Sequence, residues 1–335
     1  MDSNYANDSS TDETDLFIPR LFRFWIFLFT NSLSLGCTFL HLYHLLGKNI
    51  LRNTLSNHTI IVILFTSLGT QCIDVPFYMN YTLHGYVSPQ TPFVCQLWWF
   101  VDVGTFQTTL ILITWMSFER HILIFHEQYL RTRKNRWFFH YFPLIFFIIY
   151  PLLFYTLALT LVQCEDSNSY DYTQGWCGYS PCYYHVVFLS LWDIFFNGGI
   201  FTILAVFSDV VLIIRVIRKK STLIRQPRQW RKHRKMIIQL LSISILCSIF
   251  SMMILIYFLL DTIGYLPSDI DPRILEYILL FDLYSILWMP ILMLLTLPKQ
   301  YWWKQWKNIL RHRRQQRQVG VRTLTLPVTA KQITK

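Results

Sequence analysis

Charge is what this chain has least of. Asp, Glu, Lys and Arg make up 15% of its 335 residues, against about a quarter in ordinary soluble domains. With 53% of residues hydrophobic, that deficit excludes a reading of the length as two or three soluble domains. Glycine-rich phosphate loops, the His-Glu-x-x-His zinc spacing and the nucleophile elbow of hydrolases are all missing. No enzyme, cofactor or metal is therefore expected, and His140 and His185 read as isolated surface or helix-end residues. Residues 1–20 have no basic start and no short apolar core; they are polar and acidic (Asp2, Asp8, Asp12, Glu13, Asp15). No cleavable secretory signal is expected, and the first spanning helix would direct insertion itself.

The apolar residues fall into seven blocks, 21–46, 57–82, 96–119, 138–163, 185–214, 236–260 and 275–297. Each is long enough to cross a hydrocarbon core about 30 Å thick, which takes roughly 20 helical residues. Lipid offers backbone groups no partner, so only helices or a closed barrel can span it. The blocks are continuous rather than alternating, which favours helices over barrel strands. The expected fold is an all-α integral membrane bundle of seven helices.

Acids are absent from two of the basic segments, 215–235 and the tail after Pro298, which carry ten Lys and Arg each. With the connections 47–56 and 120–137, alternate segments hold 27 of the chain's 30 Lys and Arg. Short basic loops stay cytosolic, so the N-terminus is expected outside and the tail inside. The net charge of +11 then reflects topology and contact with the lipid bilayer, and nucleic-acid binding is not expected. The organisation implied is an outer segment over 1–20, a bundle over 21–297 and an inner stretch over 298–335. Asn7-Asp8-Ser9 is a plausible outer glycosylation sequon at Asn7; Asn80-Tyr81-Thr82 sits close to the membrane.

Of seven cysteines, Cys37, Cys72 and Cys247 lie inside apolar blocks, as small soft hydrophobes. Cys95, Cys164, Cys177 and Cys182 fall on the expected outer side, where disulfides persist. Four cysteines allow three pairings. A bridge from Cys95 to the long loop before the fifth block is expected, with Cys182 the favoured partner and Cys164 joined to Cys177.

Glu119-Arg120-His121 closes the third block 25 residues after Cys95, and Pro76 follows Asn57 by nineteen. Met289-Pro290-Ile291-Leu292-Met293 lies in the seventh block, and YWWKQWKNILRHRR (301–314) interleaves aromatics with bases beyond it. This constellation resembles a divergent rhodopsin-like (class A) G-protein-coupled receptor. The triplet stands for that family's acid-Arg-Tyr motif, the proline-centred segment for its Asn-Pro-x-x-Tyr, and 301–314 for its amphipathic eighth helix. The chain departs from the pattern at Ser67, where the family has aspartate, and the sixth block has neither tryptophan nor proline. The fifth lacks its proline and carries Gly198 and Gly199 instead. The resemblance implies that a heterotrimeric G protein is the inner partner, and that Glu119 holds Arg120 at rest and releases it to the G protein, with His121 and Pro290 in the same switch. Arg120 also fits a plain positive anchor at a helix end.

The acids singled out within the blocks are Asp74, Asp102, Asp193 and Asp282, with Asp209 lower in the fifth. A mid-membrane carboxylate costs at least about 2.5 kcal/mol, so such residues line an interior or a cavity. All four fall in the outer half, and Asp102 lies seven residues after Cys95, where amine receptors carry the acid that pairs the ligand's ammonium. They are expected to form a cup for an extracellular cationic ligand, an amine or a basic peptide, with Trp98, Trp99, Phe106, Trp192 and Trp288 as cation–π faces. The competing role for the same acids is ion coupling in a transporter, against which stands the lack of an inverted repeat.

Overall fold

The computed structural model describes residues 18–47, 49–52, 54–130, 132–162, 170–178, 181–223, 227–265 and 273–295. Asn7, Cys164 and the 301–314 stretch lie outside the described residues. Seven described helices are long and apolar enough to cross a membrane: α1 (Arg20–Gly47), α2 (Asn57–His84), α3 (Pro92–Leu123), α4 (Arg133–Leu161), α5 (Val187–Arg215), α6 (Leu241–Leu260) and α7 (Ile274–Leu294). They coincide with the seven apolar blocks to within a few residues at most ends, and no strand occurs among the described residues.

α3 is the central post, packing on α2, α4, α5 and α6. One end of the bundle carries the Cys95–Cys177 disulfide; the other carries Glu119 and Arg120. Two apolar cores fill the interior. Near the Glu119 end, Ile63, Leu112, Met116, Ile243, Met289 and Met293 pack together. Near the disulfide end, Phe27, Tyr78, Trp98, Trp176 and Leu287 do so. Outside, Phe29, Leu161, Phe188 and Phe207 are each more than 60% exposed. An apolar belt of this kind is what hydrocarbon covers.

Three helices widen locally to π-helical hydrogen bonding, over Thr70–Asp74, Trp137–Tyr141 and Trp192–Ile200. Pro76 and Pro143 follow the first two within two residues. A proline has no N–H for the turn before it, and widening is one way to absorb that loss. The α2 widening is pinned on α1. Asn31 donates to the Gln71 carbonyl at 3.0 Å, while the Gln71 side chain accepts from Thr38 and donates to Ser34, both at 3.1 Å. The α5 widening contains no proline; Gly198 and Gly199 sit there. A Cβ on Gly199 would stand 3.3 Å from Leu255 on α6, so glycine allows the close approach.

Candidate functional site

At the disulfide end, residues 170–178 fold into a plug. Asp171 accepts from the Thr173 amide and hydroxyl and from Gln174, at 2.9, 2.6 and 2.9 Å. Those donors hold its carboxyl below the usual carboxylate range. Trp176, held at φ 52°, is driven inward until its ring lies 5.1 Å from Tyr78 and 5.7 Å from Trp98. The next residue, Cys177, thereby reaches Cys95 at the start of α3, with Cα atoms 5.8 Å apart. The expectation of Cys182 as partner is corrected: insertion of Trp176 selects its neighbour. Cys182 is itself disulfide-bonded, to neither Cys95 nor Cys177.

The four singled-out acids meet different fates. Asp74 is fully buried in the α2 widening; its Oδ1 accepts from the Trp98 indole at 2.7 Å, and the Trp176 indole also acts on it. Asp74 and Trp98 therefore anchor the plug and do not line the cavity below it, contrary to expectation. Asp193 accepts from Tyr155 at 2.5 Å and Asn197 at 2.9 Å on one oxygen. Tyr183 and Tyr184 donate to the other at 2.9 and 3.3 Å. Four donors satisfy that carboxylate in full.

Asp102 and Asp282 differ. Both line a cavity of about 100 Å³ bounded by α3, α5, α6 and α7, with Trp99, Phe106, Gln107, Tyr184, Ser251 and Phe258 among its walls. Asp193 borders it too. Asp102 lies within electrostatic reach of Asp74 and Asp282, and no basic side chain among the described residues acts on any of the three. Of the aromatic faces expected, Trp99 and Phe106 are present. Trp192 instead stacks on Phe196 with centroids 4.3 Å apart, and Trp288 is 45% exposed on the bundle's outside.

At the opposite end the motif is wired differently from expectation. Glu119, 1% exposed, accepts from His140 Nδ1 at 2.6 Å and from the Thr59 hydroxyl at 2.7 Å. Its ion pair is with His140; Arg120, equally buried, senses Glu119 only as a neighbouring charge. Adjacent helical positions point in different directions, which is the physical reason. His140 is thus a fully buried interior residue. Its Nε2 meets His58 Nδ1 at 3.1 Å, and His58 Nε2 donates to the Arg52 carbonyl at 2.7 Å. With Glu119 ionised, both ends of this relay are acceptors.

Other ties fix the same end. His121 donates to the Ser208 carbonyl at 3.1 Å, and Ser117 donates to Asp209 at 2.9 Å, joining α3 to α5 twice. Pro290 lies within α7 between Met289 and Met293, both in the core. Glu276 was not singled out from the sequence. It accepts from Arg23 at 2.8 Å and from Tyr78 at 3.3 Å, tying α7 to α1 and α2. Arg23, near the start of a spanning block and with no acid close in sequence, was the signal for such a partner.

Seven membrane-length helices with α3 at their centre, and a disulfide from its start to the loop between α4 and α5, define a seven-helix membrane receptor scaffold. The family described as 7 transmembrane receptor (rhodopsin family) matches residues 40–292, and the chain belongs to it. Its members are signalling receptors, and a transporter is not favoured. No curated protein matches the chain.

Proposed function

We propose that this receptor sits in the plasma membrane with its disulfide end outside. There it binds a cationic ligand, an amine or a basic peptide, and activates a heterotrimeric G protein at its Glu119 end. The charge asymmetry supports the orientation, since the basic connections follow the Glu119 end. A disulfide at the other end fits an oxidising exterior. The observation that carries the ligand class is the cavity itself. Asp102 and Asp282 face it with no basic side chain among the described residues acting on them, so a cation there would favour their carboxylate forms and pair with them. Asp74 and Asp193 have structural roles on this reading. Phe106 and Trp99 supply aromatic faces to the same cation.

Activation is a shift between two packings, driven by the ligand's differential affinity for them. Arg120, His121 and Pro290 lie where the helix ends would rearrange, and the Glu119–His140–Thr59 clamp opposes the change. The test is nucleotide exchange on reconstituted G proteins across a panel of amines and basic peptides, with wild-type receptor and Asp102→Asn. A cationic agonist whose potency falls at least about ten-fold in the variant is expected. An agonist equally potent on both would remove the cationic reading.

A further inference from the structure

The cavity holds more polar demand than one ammonium can meet. Asp282 Oδ1, Gln107 Oε1 and Ser251 Oγ are all buried and have no hydrogen-bond partner, and all three residues line the cavity that Asp102 also faces. Asp282 and Ser251 are each 6% exposed. A buried acceptor left unpaired costs about 1–3 kcal/mol, so a ligand that displaces water from this cavity must bring donors to all three. The demand is two-sided, since Asp102 stands on α3 while Asp282 stands on α7 and Ser251 on α6. Asp193 takes no share, because four donors already fill its oxygens.

Size narrows the class. The cavity measures about 100 Å³, smaller than an apolar cavity of roughly 150 Å³ known to take benzene. A peptide side chain with its backbone does not fit such a space, nor does a fused aromatic. A thin chain does.

We propose that the ligand is a small linear diamine, with one ammonium on Asp102 and the second on Asp282, Gln107 and Ser251. An ammonium has three donors and no acceptor, which matches the acceptors Asp282 Oδ1, Gln107 Oε1 and Ser251 Oγ. The uncharged methylene spacer lies against Val103, Leu279 and Ile286, which also line the cavity. The proposal rests on the cationic-ligand reading above and adds the second anchor.

The test uses full-length receptor in neutral-lipid nanodiscs and measures binding of 1,3-diaminopropane, 1,4-diaminobutane, 1,5-diaminopentane and 1,6-diaminohexane, with n-butylamine as the single-charge control. The expected result is an optimum spacer length and an affinity at least about ten-fold above n-butylamine, the minimum for an added charged hydrogen bond. Asp282→Asn lowers diamine affinity at least about ten-fold more than it lowers n-butylamine affinity, whereas Asp102→Asn weakens both alike. If diamines bind no tighter than n-butylamine while Asp102→Asn weakens both, the second anchor is overturned and the cationic reading stands. If none of these amines binds, the diamine proposal is overturned, and the amine and peptide panel above decides the cationic reading. Equal thermal midpoints for the variants and the wild type establish that a lost affinity is not a lost fold.

Discussion

Replacing His140 by Phe tests how the Glu119 end is held together. The ring volume is nearly kept, but the 2.6 Å link to Glu119 and the 3.1 Å link to His58 are lost. Glu119 stays buried with the Thr59 hydroxyl as its remaining hydrogen-bond donor. Losing a buried hydrogen bond to a charged group costs about 1.5–3 kcal/mol, and stranding one member of a buried ion pair can cost about 3–5 kcal/mol. With Thr59 still donating to Glu119, the cost falls at the lower end of these figures. About 2 kcal/mol is roughly thirty-fold in a two-state equilibrium and, for a chain of this size, on the order of 4 °C in thermal midpoint. Cys37 and Cys247 are free and buried, so a thiol-reactive dye reports unfolding of detergent-solubilised receptor, with exposed Cys72 giving the baseline. The decisive arm is Glu119→Gln in the His140→Phe background. Removing the stranded charge recovers at least half of the loss if the cost is electrostatic. A His140→Phe receptor that melts with wild type, or a double variant no more stable than the single, refutes the clamp.

Three further outcomes follow from the same geometry. Cys95→Ser and Cys177→Ser should lower the unfolding midpoint equally, with the double variant no worse than either, since both open one bridge spanning 82 residues. Non-reduced peptide mapping should recover the Cys95–Cys177 pair intact from Cys182→Ser. Arg23→Gln strands Glu276 and Tyr78 between three helices, so it should destabilise by more than Arg23→Gln combined with Glu276→Gln, read in the same dye assay. For the plug, the Asp171 carboxyl is held below its ordinary 3.8 by Thr173 and Gln174. Its contribution is therefore full above that value and lost as pH falls through the depressed one. Hydrogen exchange of 170–178 should be faster in Asp171→Asn than in wild type at neutral pH, and the difference should shrink below 3.8 and vanish once the pH has fallen through the depressed value.

The bundle was legible because membrane helices announce themselves by local composition. Each of the seven apolar runs meets the length requirement alone, and Cys95, Glu119 and Arg120 mark both ends of α3 by spacing. Pairings across the bundle were not legible, because they depend on which face each helix turns inward. His140 looked isolated because its partners, Glu119 and His58, lie 21 and 82 positions away. Glu276 and Arg23 are 253 apart and meet only because α7 closes on α1. The π-helical widenings decide still more, since each extra residue in a turn rotates everything after it. In α2 the widening sets Asp74 toward the indoles of Trp98 and Trp176, and in α5 it brings Asp193 and Asn197 to the tyrosines of α4 and the following loop. Four acids at similar depth therefore look interchangeable in the sequence but have separate tasks. Asp193, filled by four donors, and Asp74, held by the Trp98 indole, fix the protein's own shape. The two that face the cavity, Asp102 and Asp282, are where an outside cation gains most, because no basic side chain among the described residues acts on them.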